Sequence, residues 1–173
     1  KRLILVTAHR RENFGKPLEN ITAALTELAK RTDVQIVYPV HPNPNVISPV
    51  NEALGGVDGV HLMPPLDYLT FAHLMGKSHL ILTDSGGIQE EAAALNVPVL
   101  VMRSVTERAE AIEAGTAQLV GTDTDRIVSE ANRLLDDQGA HKNMSSAVNP
   151  FGDGQASERI IEILSEACGL AQL

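Results

Sequence analysis

Apolar residues fall into short, mainly unbroken runs separated by stretches with a different rhythm. Leu3–Thr7, Val34–Val40, Val60–Met63, Leu80–Thr83 and Pro98–Met102 are such runs, and Leu119-Val120 belongs to a sixth. Runs of this length without polar alternation are expected of strands buried on both faces. Between them the apolar spacing changes to three and four. Ile21, Leu25 and Leu28 predict a helix from Pro17 to about Arg31, with proline suited to its first turn. Further helices are predicted over Val46–Leu54 despite Pro49, Tyr68–Met75, Ile88–Asn96, and Thr106–Ala114 with Gly115 as its cap. Thr122–Asp137 follows, with Ile127, Val128, Leu134 and Leu135 facing inward. His141–Gly154 reads as irregular and polar. A last helix over Ala156–Cys168 carries Ile160, Ile161 and Leu164 on one face.

Six strands alternating with helices predict an α/β fold with a doubly wound parallel sheet, and the common order for six is 3-2-1-4-5-6. In that order strands 1 and 4 are neighbours and the winding reverses between them. Ligands bind outside the carboxyl ends of strands at such a reversal. The loop after strand 1 is His9-Arg10-Arg11-Glu12-Asn13, and the loop after strand 4 is Asp84-Ser85-Gly86-Gly87. Strand, Gly-rich turn and helix in succession leave free N–H groups at the positive end of the helix dipole, a place for phosphate. A plain tight turn would also use glycine there. The convergence of both polar loops on one crevice favours the anion site.

The 173 residues suffice for one domain with a full core, and 43% hydrophobic with 21% charged content fits a globular chain. The net charge of -8 argues against nucleic acid or an anionic membrane as partner, so cations must be placed locally where an anion binds. The single cysteine, Cys168, excludes an internal disulfide framework and suggests a reducing, cytoplasmic setting. The chain opens at Lys1-Arg2 and enters a strand at once, which reads as a piece of a longer protein.

A dinucleotide is disfavoured: no G-x-G-x-x-G follows strand 1, and strand 2 ends at Pro39-Val40-His41 without an acid for a ribose. The P-loop pattern is absent, and no Cys/His cluster has metal-ligand spacing, so neither a metal nor a cofactor is expected. A mononucleotide diphosphate fits best. Ser85, Gly86 and Gly87 are the candidate phosphate turn. Glu91 offers two acceptor oxygens to ribose hydroxyls, but helix-dipole complementarity explains Glu90 and Glu91 equally well. His9 is a candidate proton shuttle or a positioned phosphate donor. Of Arg10 and Arg11, one is expected to clamp phosphate and the other to be a solvated loop charge. Arg108 lies either on the same carboxyl edge or at a surface helix start. Phe71 stacks on a base or belongs to the core.

Five stretches carry a family resemblance: Thr7–Asn13, Tyr38-Pro39-Val40-His41-Pro42-Asn43-Pro44, Thr83–Glu91, Arg103–Glu110 and Asn149-Pro150-Phe151-Gly152-Asp153-Gly154. Together, and in order, they resemble the bacterial non-hydrolysing UDP-N-acetylglucosamine 2-epimerases. The resemblance implies the GT-B architecture, two Rossmann-like domains with the active site between them, and it makes residues 1–173 the UDP-binding C-terminal one. It further implies a homodimer when full length, and UDP-GlcNAc and UDP-ManNAc as substrates. Ser85, Gly86 and Gly87 match the diphosphate turn, and Glu91 the ribose-binding acid. Arg108 matches a basic residue of the substrate site. Leu66 and Phe71 match positions around the uracil, Leu66 through a backbone contact. His9 matches a histidine implicated in catalysis. Arg10 and His41 match residues that in some members touch a second, activating UDP-GlcNAc. The carboxylate bases come from the other domain, so the fragment alone is expected to be inactive. A GT-B glycosyltransferase, a hydrolysing 2-epimerase and a non-catalytic nucleotide-sugar sensor are the alternatives.

Overall fold

The computed structural model describes residues 1–169. Six strands, β1 (Arg2–Thr7), β2 (Val34–Pro39), β3 (Val60–Met63), β4 (Leu80–Thr83), β5 (Val99–Val101) and β6 (Ala117–Leu119), form one sheet in the order β3-β2-β1-β4-β5-β6. Every pairing is parallel. The helices are α1 (Lys16–Ala29), α2 (Pro44–Leu54), α3 (Tyr68–Lys77), α4 (Gly86–Ala94), α5 (Ala109–Ala114), α6 (Thr124–Asp136), α7 (Gln138–Ser145) and α8 (Ala156–Ala167). The expected doubly wound sheet and its order are therefore present.

The apolar runs divide between two cores with the strand period of two. Ile4, Val6, Leu80, Leu82 and Leu100 join one cluster, while Leu5, Ile81, Val99 and Val101 join the other. The first is roofed by Leu18, Ile21, Leu25 and Leu28 of α1, Val46, Val50 and Leu54 of α2, and Ile127, Ala131, Leu134 and Leu135 of α6. The second takes Met75 of α3, Ala92 of α4 and Ala111 of α5. With both faces covered, side-chain alternation is invisible in the sequence and the strands read as continuous runs.

Several boundaries differ from expectation. Helix α4 begins at Gly86, so both glycines lie inside its first turn. Helix α2 passes through Pro49, whose missing N–H would have met the carbonyl of exposed Asn45. Burial of Val46, Val50 and Leu54 holds it together. The segment 141–154 is not wholly irregular, because α7 covers its first part. Asp137 closes α6 and caps α7, its Oδ1 accepting from the Ala140 N–H at 2.9 Å. Only Ala140 and Met144 of α7 pack on the core, too narrow a stripe to register as periodicity. Helix α8 forms as expected, but its apolar face is bare: Ile160, Ile161, Ile163 and Leu164 are 55–63% exposed.

Candidate functional site

Strands β1 and β4 run side by side to a common end, with Thr7 opposite Thr83 and their hydroxyls 2.6 Å apart. The chain leaves β1 as Ala8-His9-Arg10 and leaves β4 as Asp84-Ser85. The two loops are joined by Asp84, which is fully buried. Its Oδ2 accepts from the His9 N–H at 2.9 Å, the Arg10 N–H at 2.8 Å and Asn13 Nδ2 at 3.0 Å. Asn13 also donates to the Met102 carbonyl at 3.2 Å, tying in the end of β5. Behind this loop the buried Tyr38 hydroxyl donates to the Ala8 carbonyl at 2.7 Å. His9 and the Ser85-Gly86-Gly87 turn thus share one rim, as the strand order predicts.

The turn itself is braced without using the groups that face outward. The Ser85 N–H donates to Thr83 Oγ1 at 3.0 Å, while the Ser85 hydroxyl makes no capping bond to its helix. Buried Gln89 donates to the Ser85 carbonyl at 3.1 Å and accepts from the Thr106 hydroxyl at 2.9 Å, so α4 is pinned to the β5–α5 loop. The first-turn N–H groups, those of Gly86, Gly87 and Ile88, have no acceptor inside the helix. Neither glycine has a positive φ. Gly87 is exposed, and a Cβ there would meet nothing within 4 Å. In a helix interior such a glycine costs roughly 0.5–1 kcal/mol against alanine, and here neither backbone strain nor crowding requires it.

Charged groups surround the turn. Arg10 Nη2 pairs with Glu107 Oε1 at 2.8 Å, and Arg103, 8% exposed, spans Glu12 and Glu107 at 2.6 Å each. Its own backbone N–H and then Arg103 draw the Glu107 carboxyl down to about 2. Arg11 is exposed and forms no ion pair among the described residues, so Arg10 is the arginine built into the rim. Arg108 is ion-paired with Glu90. Glu91 has no ion-pair partner among the described residues, which distinguishes it from Glu90. His41 stacks on His9, with ring centroids 5.2 Å apart. The His9 pKa lies below the usual histidine value: burial lowers it, Asp84 opposes that, and His41 and Arg10 add to the lowering.

Leu66 and Phe71 are not joined to this network. Leu66 is half-buried ahead of α3, and Phe71 packs partly buried against the second core. A cavity of about 380 Å³ at the ends of β2 and β3 is lined by Val40, Pro42, Ile47, Leu62 and Pro64, among others, but by neither Leu66 nor Phe71. Sequence reasoning singled out neither Asp84 nor Glu107 as site residues. The signal for Asp84 was an acid placed directly after the strand Leu80-Ile81-Leu82-Thr83, whose first three residues are apolar. Among the described residues no group of three or more His, Cys, Asp or Glu is placed to hold a metal, and no helix is long and apolar enough to cross a membrane.

Comparison with known proteins gives this geometry a lineage. The chain is 60% identical over 161 residues to a probable UDP-N-acetylglucosamine 2-epimerase of Ralstonia nicotianae, covering 92% of this chain and 43% of that protein. Its fold matches the UDP-GlcNAc 2-epimerase of Neisseria meningitidis solved with UDP-GlcNAc, at 48% identity and TM-score 0.90 over 95% of this chain and 45% of that one. It also matches S. aureus MnaA solved with UDP, at 49% identity and TM-score 0.92 over 99% and 47% of the two chains. The chain therefore spans under half the length of these relatives. With the family's UDP-N-acetylglucosamine 2-epimerase pattern matching residues 1–165, the chain belongs to the UDP-N-acetylglucosamine 2-epimerase family.

Proposed function

We propose that residues 1–173 are the UDP-binding, C-terminal half of a non-hydrolysing UDP-N-acetylglucosamine 2-epimerase of GT-B architecture. The observation that carries this is the start of α4: free N–H groups, an unspent Ser85 hydroxyl and an unstrained Gly87 facing open space, beside His9 and Arg10. Relatives of the same family have been solved with UDP-GlcNAc or UDP bound, which supports a nucleotide sugar as the ligand here. Ser85, Gly86 and Gly87 hold the diphosphate. Glu91, whose carboxylate is uncommitted, holds the ribose hydroxyls, and Leu66 and Phe71 flank the uracil. Arg108 reaches substrate by leaving Glu90, and Arg10 and His41 border a second nucleotide-sugar site.

The chemistry needs a second half. The hydrogen at C2 of the sugar is not adjacent to a carbonyl and is too weakly acidic for direct removal. Instead a base takes the C2 proton while the C1–O bond breaks and its electron pair leaves with UDP, giving a glucal-type alkene. UDP then adds back at C1 and a proton returns to the opposite face of C2, yielding UDP-ManNAc from UDP-GlcNAc. Negative charge grows on the departing diphosphate, where the α4 N-terminus, Arg10 and His9 stabilise it. The base is a carboxylate of the preceding Rossmann-like half, worth roughly 10²–10⁴-fold. The bare apolar face of α8 supports such a neighbour. We further place the full protein in the cytoplasm as a homodimer.

Calorimetric titration of this chain with UDP, and product analysis with UDP-GlcNAc, test the proposal. Weak UDP binding without turnover is expected of the chain, and conversion to UDP-ManNAc once the preceding half is restored. No UDP binding, or epimerisation by the isolated chain, would each overturn it.

A further inference from the structure

Asp84 uses only half of its carboxylate in the bonds described above. Oδ2 takes three N–H donors, while Oδ1 is buried and has no hydrogen-bond partner among the described residues. A buried acceptor left unpaired is costly. The donor facing it is the imidazole of His9, whose Nδ1 lies 3.9 Å from Oδ1. That gap exceeds a hydrogen bond, and a small rotation of the half-buried ring closes it. The other groups that face His9 are His41, stacked on it, and Arg10, its neighbour in the chain. Neither offers an acceptor to Nδ1–H: Arg10 has only donors, and His41 presents its ring face.

We propose that Asp84 is a positioning residue for His9: its Oδ1 holds the imidazole with the proton on Nδ1, so that Nε2 is the nitrogen turned to the ligand. This rests on the reading of His9 as a group that stabilises the departing diphosphate, which the imidazolium does by donating from Nε2. A neutral histidine has one N–H, and the bond made by one nitrogen decides the state of the other. With Nδ1–H committed to Asp84, Nε2 accepts a proton when the imidazole becomes cationic, and the buried carboxylate offsets the repulsion from Arg10 and His41. One side chain thereby sets two things. Oδ2 fixes the loop that carries His9, and Oδ1 fixes which face of the ring is chemically active. The same acid pins the polar loop after β1 to the end of β4, where the pairing of the two strands has already brought them together.

The test is nitrogen NMR of the histidines in this chain, without nucleotide. Above its titration midpoint, His9 is expected as the Nδ1–H tautomer; a dominant Nε2–H tautomer would overturn the proposal. In Asp84→Asn the His9 midpoint is expected to fall by about one pH unit or more, because an opposite charge at this range raises a histidine by about that amount. An unchanged midpoint in a folded Asp84→Asn protein would also overturn it. The wild-type tautomer decides the matter if Asp84→Asn does not fold. Because no nucleotide is present, failure here leaves the UDP reading standing, and failure of UDP to bind leaves the Asp84–His9 tautomer standing without its catalytic role.

Discussion

Arg10 Nη2 sits 2.8 Å from Glu107 Oε1, and that same carboxylate oxygen lies 2.6 Å from where a Cβ on Gly86 would stand. Residues 97 apart in sequence therefore close over the first turn of α4, and the absence of a side chain at 86 is what lets them. Gly86→Ala would push the Glu107 side chain aside. That carboxylate is 40% exposed, and it can turn aside while its other oxygen keeps Arg103, so the fold should survive. Arg10 would lose its tether at the mouth of the proposed phosphate turn. The expected result is a near-unchanged Tm with UDP affinity about tenfold weaker, the scale of one charge-assisted hydrogen bond. Parallel thermal melts and calorimetry check it.

Gly87→Ala makes a sharper contrast. The new Cβ meets nothing within 4 Å, and the backbone there has no positive φ. Replacing a helical glycine by alanine should stabilise the chain by up to roughly 1 kcal/mol. If the glycine is there so that phosphate can approach the backbone, UDP binding should fall at least about tenfold while stability rises. A more stable protein with undiminished UDP affinity would remove the phosphate assignment of this turn.

Ser85→Ala and Glu90→Ala separate ligand contacts from helix electrostatics. The Ser85 hydroxyl makes no capping bond to α4, so its loss should appear in binding rather than in folding. Glu90 is occupied by Arg108. Ser85→Ala is expected to weaken UDP binding by about 1 kcal/mol, the worth of a typical hydrogen bond, and Glu90→Ala by less. Equal losses in calorimetry would undo the assignment.

The sheet order was legible because strands buried on both faces must be apolar along their length, and β1 from Leu3 to Val6, β4 from Leu80 to Leu82 and all of β5 are. The rim was legible because strand order alone brings the ends of β1 and β4 together. What joins the two loops was not. Asp84 takes its meaning from three donors 71 to 75 residues upstream, and no local pattern records a partner at that distance. Glu107 was hidden for the same reason, since it reads as a surface acid until Arg10 and Arg103 are seen on either side of it. Helix α7 escaped because a helix that rests on a core through two residues leaves almost no periodicity. The face of α8 shows the converse: its apolar stripe was plain in sequence, and in the fold it stays bare.

That stripe yields a stability test. Ile127 is fully buried in the first core, whereas Ile160 is 55% exposed. Ile127→Ala should destabilise this chain by about 2–5 kcal/mol, and Ile160→Ser by less than about 0.5 kcal/mol. In a protein that includes the preceding half, Ile160→Ser should become costly if α8 docks there. Denaturant melts of both lengths check the pair, and an equally silent Ile160→Ser in each would leave α8 without a neighbour.

His79 links stability to pH. Its ring stacks on His141 with centroids 4.0 Å apart, and its Nε2 is buried without a partner among the described residues. Burial first, then the neighbouring His141 and Arg2, lower its pKa from 6.5, and His9 is lowered as well. The unfolded chain therefore binds more protons than the folded one between those lowered values and about 6.5, so stability rises with pH across that window. Acidifying from about pH 7.5 to about pH 5 should lower the Tm, with the loss levelling off once the folded histidines have also titrated. His79→Phe keeps a ring against His141 and removes the titrating group, so it should flatten part of the slope. A mutant whose Tm falls as steeply as that of the parent would show that His79 is not a source of the pH dependence.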